Sequence, residues 1–134
     1  MAQWQLLGWL NVILVLLMGS IFPIKERMKT NKKLIPVYRK ARVIHPITGV
    51  AMIVIGLIHG TMALGRIRLH SGTLILIVLV LMALVAFAGP RVKALKKNWR
   101  LIHRMLGLLV FVLVLAHLIV PWWLPSGLAL ISHH

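Results

Sequence analysis

Four apolar runs, Trp4–Phe22, Ile44–Leu64, Gly72–Ala88 and His103–Val120, take up more than half of this 134-residue chain. Each is close to the ~20 residues that a helix needs to cross roughly 30 Å of hydrocarbon. Lipid offers no water to bare N–H and C=O groups, so a spanning segment must bond its own backbone, and at this length it does so as a helix. The runs predict an all-α membrane protein with spans over about 4–22, 44–64, 71–89 and 103–121. A hydrophobic content of 60% and a mean hydropathy of +0.96 exclude an ordinary water-soluble domain. Residues 1–134 therefore read as a single transmembrane domain.

Charge orders the spans. Of the 16 Lys and Arg residues, eight lie between the first and second runs (Lys25 to Arg42) and six lie from Arg91 to Arg104, which leaves only Arg66 and Arg68 for the second connection. Positively charged loops stay in the cytoplasm, so the first and third connections are inside and both termini outside, giving an up-down-up-down four-helix bundle. Trp4, Trp9, Trp99 and the Trp122-Trp123 pair fall at or near the implied interfaces, where indole rings settle. No basic residue precedes the first run and no small-residue cleavage pattern follows it, so it reads as a retained span and not a secretory signal. The segment Pro23–Val43 has room for a short surface helix, with Leu34, Ile35, Val37, Tyr38, Val43 and Ile44 toward lipid and Lys32, Lys33, Arg39 and Lys40 toward headgroups. The basic inner face suits anionic lipid headgroups or an acidic docking protein. Nothing in the chain suggests a nucleic-acid partner.

Within the apolar runs stand two related stretches, Arg42-Val-Ile-His45-Pro-Ile-Thr-Gly49 and Arg100-Leu-Ile-His103-Arg-Met-Leu-Gly107, followed by His59 and His117. Both histidine separations are 14 residues. On a helix that is about 21 Å of rise with the two rings about 40° apart, on nearly one face. Spans two and four run in the same direction, so His45 comes level with His103 and His59 with His117. Imidazoles inside a membrane are expensive and mark function by default.

Two opposed imidazoles suit a haem b iron, which takes four porphyrin nitrogens and two axial ligands. Zinc or copper wants a tighter cluster of three or four protein ligands. The chain has no cysteine and a single acid, Glu26, to complete one. The expected iron ligands are thus His45 and His103 for an inner haem and His59 and His117 for an outer one. Pro46 disfavours helical geometry at the residue before it, which places His45 at the very start of its helix. Gly49 and Gly107 sit one turn after the inner histidines and Gly56 one turn before His59, and glycine within a helix makes room for a macrocycle or for another helix. Arg42, Arg100 and Arg104 are candidate partners for the carboxylates of the inner haem, and Arg66 and Arg68 for those of the outer one. The alternative is that they are topology determinants facing phosphate or water. His70, at the start of the third span, reads as an interfacial histidine, with a haem contact or a hydrogen bond to a quinone as the alternatives, while His133 and His134 have no assigned role.

At these residues the chain resembles the four-helix, dihaem half of the cytochrome b family of quinol-oxidising complexes and, more distantly, ferric-reductase-type transmembrane domains. The resemblance covers all four spans and rests on the doubled H-x3-G with a second histidine 14 residues on. It implies two haem b groups stacked across the membrane, clamped by histidines of the second and fourth helices and faced by glycines. It does not carry over quinol oxidation or ferric reduction, because the quinol-oxidation loop, the further helices and a flavin or nicotinamide domain are all missing. The expectation is a dihaem electron-transfer subunit of a larger oxidoreductase in a bacterial-type inner membrane, not a complete enzyme. Its expected partners are a cytoplasmic flavin or iron–sulfur protein and a quinone. Two competing readings are a non-redox membrane scaffold and a small metal-ion transporter, with the histidines in hydrogen bonds between helices.

Overall fold

The computed structural model describes residues 2–64 and 70–120, so Arg66, Arg68, Trp122, Trp123, His133 and His134 lie outside the described residues. Among the described residues all regular structure is helical: α1 (Gln3–Gly19), α2 (Ile21–Met28), a 3-10 turn (Lys32–Leu34), α3 (Ile35–Leu64), α4 (Ser71–Ala88) and α5 (Trp99–Ile119). Four stretches, Gln3–Met28, Lys32–Ala63, Ser71–Ala88 and Trp99–Ile119, are long and apolar enough to cross a membrane.

The first stretch is interrupted only at Ser20, whose hydroxyl turns back to the Leu17 carbonyl at 2.6 Å. Pro23 follows within the first turn of α2, where a missing N–H costs nothing. Asn31 then caps the 3-10 turn by accepting the Lys33 N–H at 3.1 Å.

From there α3 runs unbroken for 30 residues, which corrects two expectations from the sequence. The residues expected to form a short surface helix, Leu34 to Ile44, do not make a separate one, because Ile35–Val43 is the opening of α3 itself. Nor does His45 start its helix: it lies in the eleventh position, with Pro46 inside the helix. The restriction that proline places on its predecessor is a bias, and here the apolar helix continues through it. What proline removes is one backbone bond, and membrane helices tolerate that loss where side-chain hydroxyls and neighbours re-satisfy the backbone. The carbonyl that loses its donor is that of Arg42; the nearby Thr48 hydroxyl donates elsewhere, to the Ile44 carbonyl at 3.0 Å.

Helix α3 packs against α1 and α4, and α5 packs against α4 and, more lightly, α1. Helices α3 and α5 are therefore diagonal, facing each other across the interior. Among the described residues, Met52 on α3, Val78 and Leu79 on α4 and Val110 on α5 are the buried apolar side chains, flanked by Leu14, Val15 and Met18 of α1. Met52 is seven residues from both His45 and His59, and Val110 is seven from both His103 and His117. Seven residues are nearly two turns, so histidine, core residue and histidine share one face on each diagonal helix. The result is a dry waist about 10 Å along the axis from a histidine level on either side.

Elsewhere the large apolar side chains look outward. Leu16, Leu17, Ile47, Phe87, Leu101 and Ile119 are all more than half exposed. Such a surface suits lipid and is untenable in water.

The waist carries the packing, so Met52→Ala is expected to cost about 2 to 5 kcal/mol. Leu101→Ala, on the outward face, stays within about 0.5 kcal/mol of the parent. Thermal unfolding of the detergent-solubilised protein distinguishes the two.

Candidate functional site

The polar groups of the interior collect at two levels, one on each side of the waist. At the first, His45 of α3 meets His103 of α5 with ring centroids 5.9 Å apart and planes at 67°. The His103 Nδ1 lies 3.2 Å from the Met82 carbonyl of α4. A carbonyl can only accept, so Nδ1 carries the proton and Nε2 keeps its lone pair. The His45 Nδ1 is buried without a hydrogen-bond partner among the described residues.

The matched glycines stand one turn further in, and each faces the end of a methionine. A Cβ at Gly49 would lie 3.5 Å from the Met18 methyl, and one at Gly107 would lie 3.8 Å from the Met82 sulfur. Both are ordinary contacts with flexible side chains, so helix packing within the protein does not require glycine at either place.

The arginines expected near this level rest on aromatic rings. Arg42 lies over Tyr38 at 5.9 Å, Arg100 over Trp99 at 5.4 Å and Arg104 over Phe22 at 6.0 Å. All three are exposed and lie within one turn of His45 or His103, so they rim the first level. The Arg104–Phe22 contact brings the start of α5 to α2, so the basic stretches Lys25–Arg42 and Arg91–Arg104 gather at this one end of the bundle.

The second level holds three histidines. His59 Nδ1 lies 2.6 Å from the Trp4 carbonyl of α1, which again fixes the proton on Nδ1 and leaves Nε2 with a lone pair. Its ring presses on Gly8, where a Cβ would come within 2.9 Å of Cε1. His117 Nδ1 is 2.6 Å from the hydroxyl of Ser71, which is 2% exposed. The ring contacts at this level are His117 with His70, at 6.4 Å and 65°, and His59 with Trp4, at 6.2 Å and 43°; among the described residues no ring contact joins His59 to His117. Among the described residues no three His, Cys, Asp or Glu side chains are close enough to share one ion.

The sequence groups His45 with His103 and His59 with His117; the first two rings meet, while His59 rests against Trp4 and His117 against His70. That grouping left out four contributors: the Trp4 and Met82 carbonyls, Ser71, and His70 as a neighbour of His117. It also left out Asn11 of α1, whose buried Oδ1 has no partner among the described residues and whose amide nitrogen faces Gly56, 3.4 Å from where a Cβ would stand. An amide in the middle of an apolar run is a polar group in hydrocarbon, and that signal was legible from the start.

No family model matches the chain, and neither a curated protein nor a solved structure is similar to it.

Ser71→Ala would leave the His117 Nδ1 without its hydroxyl in a buried setting, and a loss of about 1 to 3 kcal/mol is expected. Gly8→Ala is expected to be destabilising by a similar amount, about 1 to 3 kcal/mol, through overpacking against the His59 ring. Thermal unfolding measures both.

Proposed function

We propose that this chain is the membrane subunit of a larger oxidoreductase and carries electrons between the leaflets through two bis-histidine b-type haems. The observation that carries the reading is the pairing of the His45 and His103 imidazoles across the diagonal helices α3 and α5, with the His103 Nδ1 proton turned to the Met82 carbonyl. Metal–imidazole bonds are about 2 Å long. Two rings sharing one iron therefore have centroids roughly 6 Å apart, and the His45–His103 separation of 5.9 Å fits.

The residues suit the group in three further respects. The Met82 and Trp4 carbonyls hold His103 and His59 in the tautomer whose Nε2 can ligate. The buried Nδ1 of His45 is a polar atom that protein contacts among the described residues leave unanswered. Gly49 and Gly107 open the first level, where only methionine ends lie over them. In this reading His45 and His103 hold the inner haem and His59 and His117 the outer one, with Arg42, Arg100 and Arg104 facing the carboxylates of the inner group. Arg66 and Arg68 are proposed for those of the outer group.

A haem iron between two neutral imidazoles exchanges single electrons without changing its ligands, and that is the chemistry the group supplies when bound. The chain would supply the imidazole nitrogens that hold the group, fixes the tautomers of His59 and His103 through the Trp4 and Met82 carbonyls, and keeps water out of the waist formed by Met52, Val78, Leu79 and Val110. We read the bundle as up-down-up-down in a bacterial-type inner membrane. The contacts Trp4 to His59, Met18 to Gly49, Ser71 to His117 and Met82 to His103 support that order. The basic end lies in the cytoplasm and both termini outside. A conduit needs a donor and an acceptor, and the proposed partners are a cytoplasmic flavin or iron–sulfur protein and a quinone, with anionic lipids around the basic rim.

One observation favours a second reading, a non-redox membrane scaffold. The bonds of His59, His103 and His117 each tie two helices together, and structural histidines would make the same bonds.

Reduced-minus-oxidised spectra with pyridine haemochrome quantitation decide between them. Protein made with ample haem is expected to hold two haem b per chain, and His45→Ala and His59→Ala are each expected to remove about one. Absence of haem b absorbance from the parent protein would leave the scaffold reading. Gly107→Ala is expected to lower haem content while thermal stability of the haem-free protein stays within about 0.5 kcal/mol of the parent.

A further inference from the structure

The second level contains one more histidine than a bis-histidine site needs, and the hydrogen bonds of its members separate them by role. His59 gives its Nδ1 proton to the Trp4 carbonyl and keeps the Nε2 lone pair that a metal requires. His70 does the reverse. It is the N-cap of α4, and its Nδ1 accepts the Thr73 backbone N–H at 3.0 Å, with the Thr73 hydroxyl also 3.0 Å away. An N–H donor fixes Nδ1 as the acceptor nitrogen, so the proton of the neutral ring is on Nε2. In that state His70 has no lone pair left to ligate iron. It has a donor, on a ring that lies beside His117: the Cε1 atoms of His70 and His117 would lie 3.0 Å and 3.6 Å from one Cβ placed on Gly72, and the ring centroids are 6.4 Å apart.

We infer that His70 serves the outer level as an Nε2–H hydrogen-bond donor to a carboxylate of the porphyrin held there, and that His59, not His70, is the axial partner of His117. The inference rests on the dihaem reading above and adds to it a residue that sets the potential of one centre. A donor that disperses carboxylate charge near the iron favours the reduced state, so its loss lowers that centre's potential. The N-cap makes the role structurally secure, because the bond to Thr73 holds the ring in place whether or not an acceptor is present.

The test is His70→Asn in the full chain, with haem supplied during expression. Asparagine keeps the cap, since its side-chain oxygen accepts the Thr73 N–H, but it is too short to reach as the imidazole does. The expected result is two low-spin haems per chain, as in the parent, with one midpoint potential lowered and the other unchanged. The change in that centre's reduction equilibrium is expected to be up to about tenfold, or 59 mV for one electron. Reconstitution with haem dimethyl ester, which has no free carboxylate, is expected to abolish the difference between parent and variant. Loss of one haem, or a high-spin centre, in His70→Asn would make His70 a ligand and overturn the inference. Unchanged potentials at full loading would overturn it as well, as would a difference that persists with the ester. A parent protein without haem would instead bring down the underlying reading.

Discussion

An imidazole N–H taken out of water needs an acceptor, and the interior of this bundle has almost none on its side chains. The one acid, Glu26, pairs with Lys29 at 2.5 Å on an exposed surface. The buried Asn11 amide oxygen meets none of these rings, so their acceptors come from the backbone or from a hydroxyl, and helix backbones are already bonded within themselves. The chain meets this demand by turning His59 toward the Trp4 carbonyl, near the start of α1, His103 toward the Met82 carbonyl of α4, and His117 toward Ser71, the first residue of α4. Each contact joins two helices, so the same bonds that satisfy the rings also set the register of α1 with α3 and of α4 with α5. Tautomer follows as a by-product: a ring that gives Nδ1–H to a carbonyl presents a bare Nε2.

The two polar levels stay separate because of what lies between them. Met52 and Val110 stand midway between the histidines of their helices and are 2% and 3% exposed, with Val78 and Leu79 of α4 completing the layer. A seven-residue alternation of imidazole, apolar side chain and imidazole thus produces two sites in place of one long polar channel. In a bundle with so little other burial, this layer is also where packing energy concentrates.

Much of this was legible in the residues alone. Length and apolarity marked four spans, the block distribution of Lys and Arg distinguished the two ends, and the 14-residue spacing placed His45 level with His103. The start of α3 was not legible, because Pro46 argues locally for a boundary while the packing of a long helix overrides it, and single-sequence reasoning weighs only the first. The hydrogen-bond partners were hidden for a different reason. The acceptors at positions 4 and 82 are main-chain atoms, which no residue letter records, and Ser71 looks like any small polar residue at a helix start. His70 was visible as a histidine, but its part depends on which nitrogen accepts the Thr73 N–H, a matter of orientation that spacing does not encode.

The use of main-chain oxygens has an evolutionary side. Any amino acid at position 4 or 82 brings the same carbonyl, so substitutions there leave the anchoring of His59 and His103 intact provided the helix keeps its path. His117 is anchored through a side chain, and position 71 has no such freedom. Sequence drift therefore bears unequally on the rings: two are insured by the polymer itself, and one hangs on a single codon.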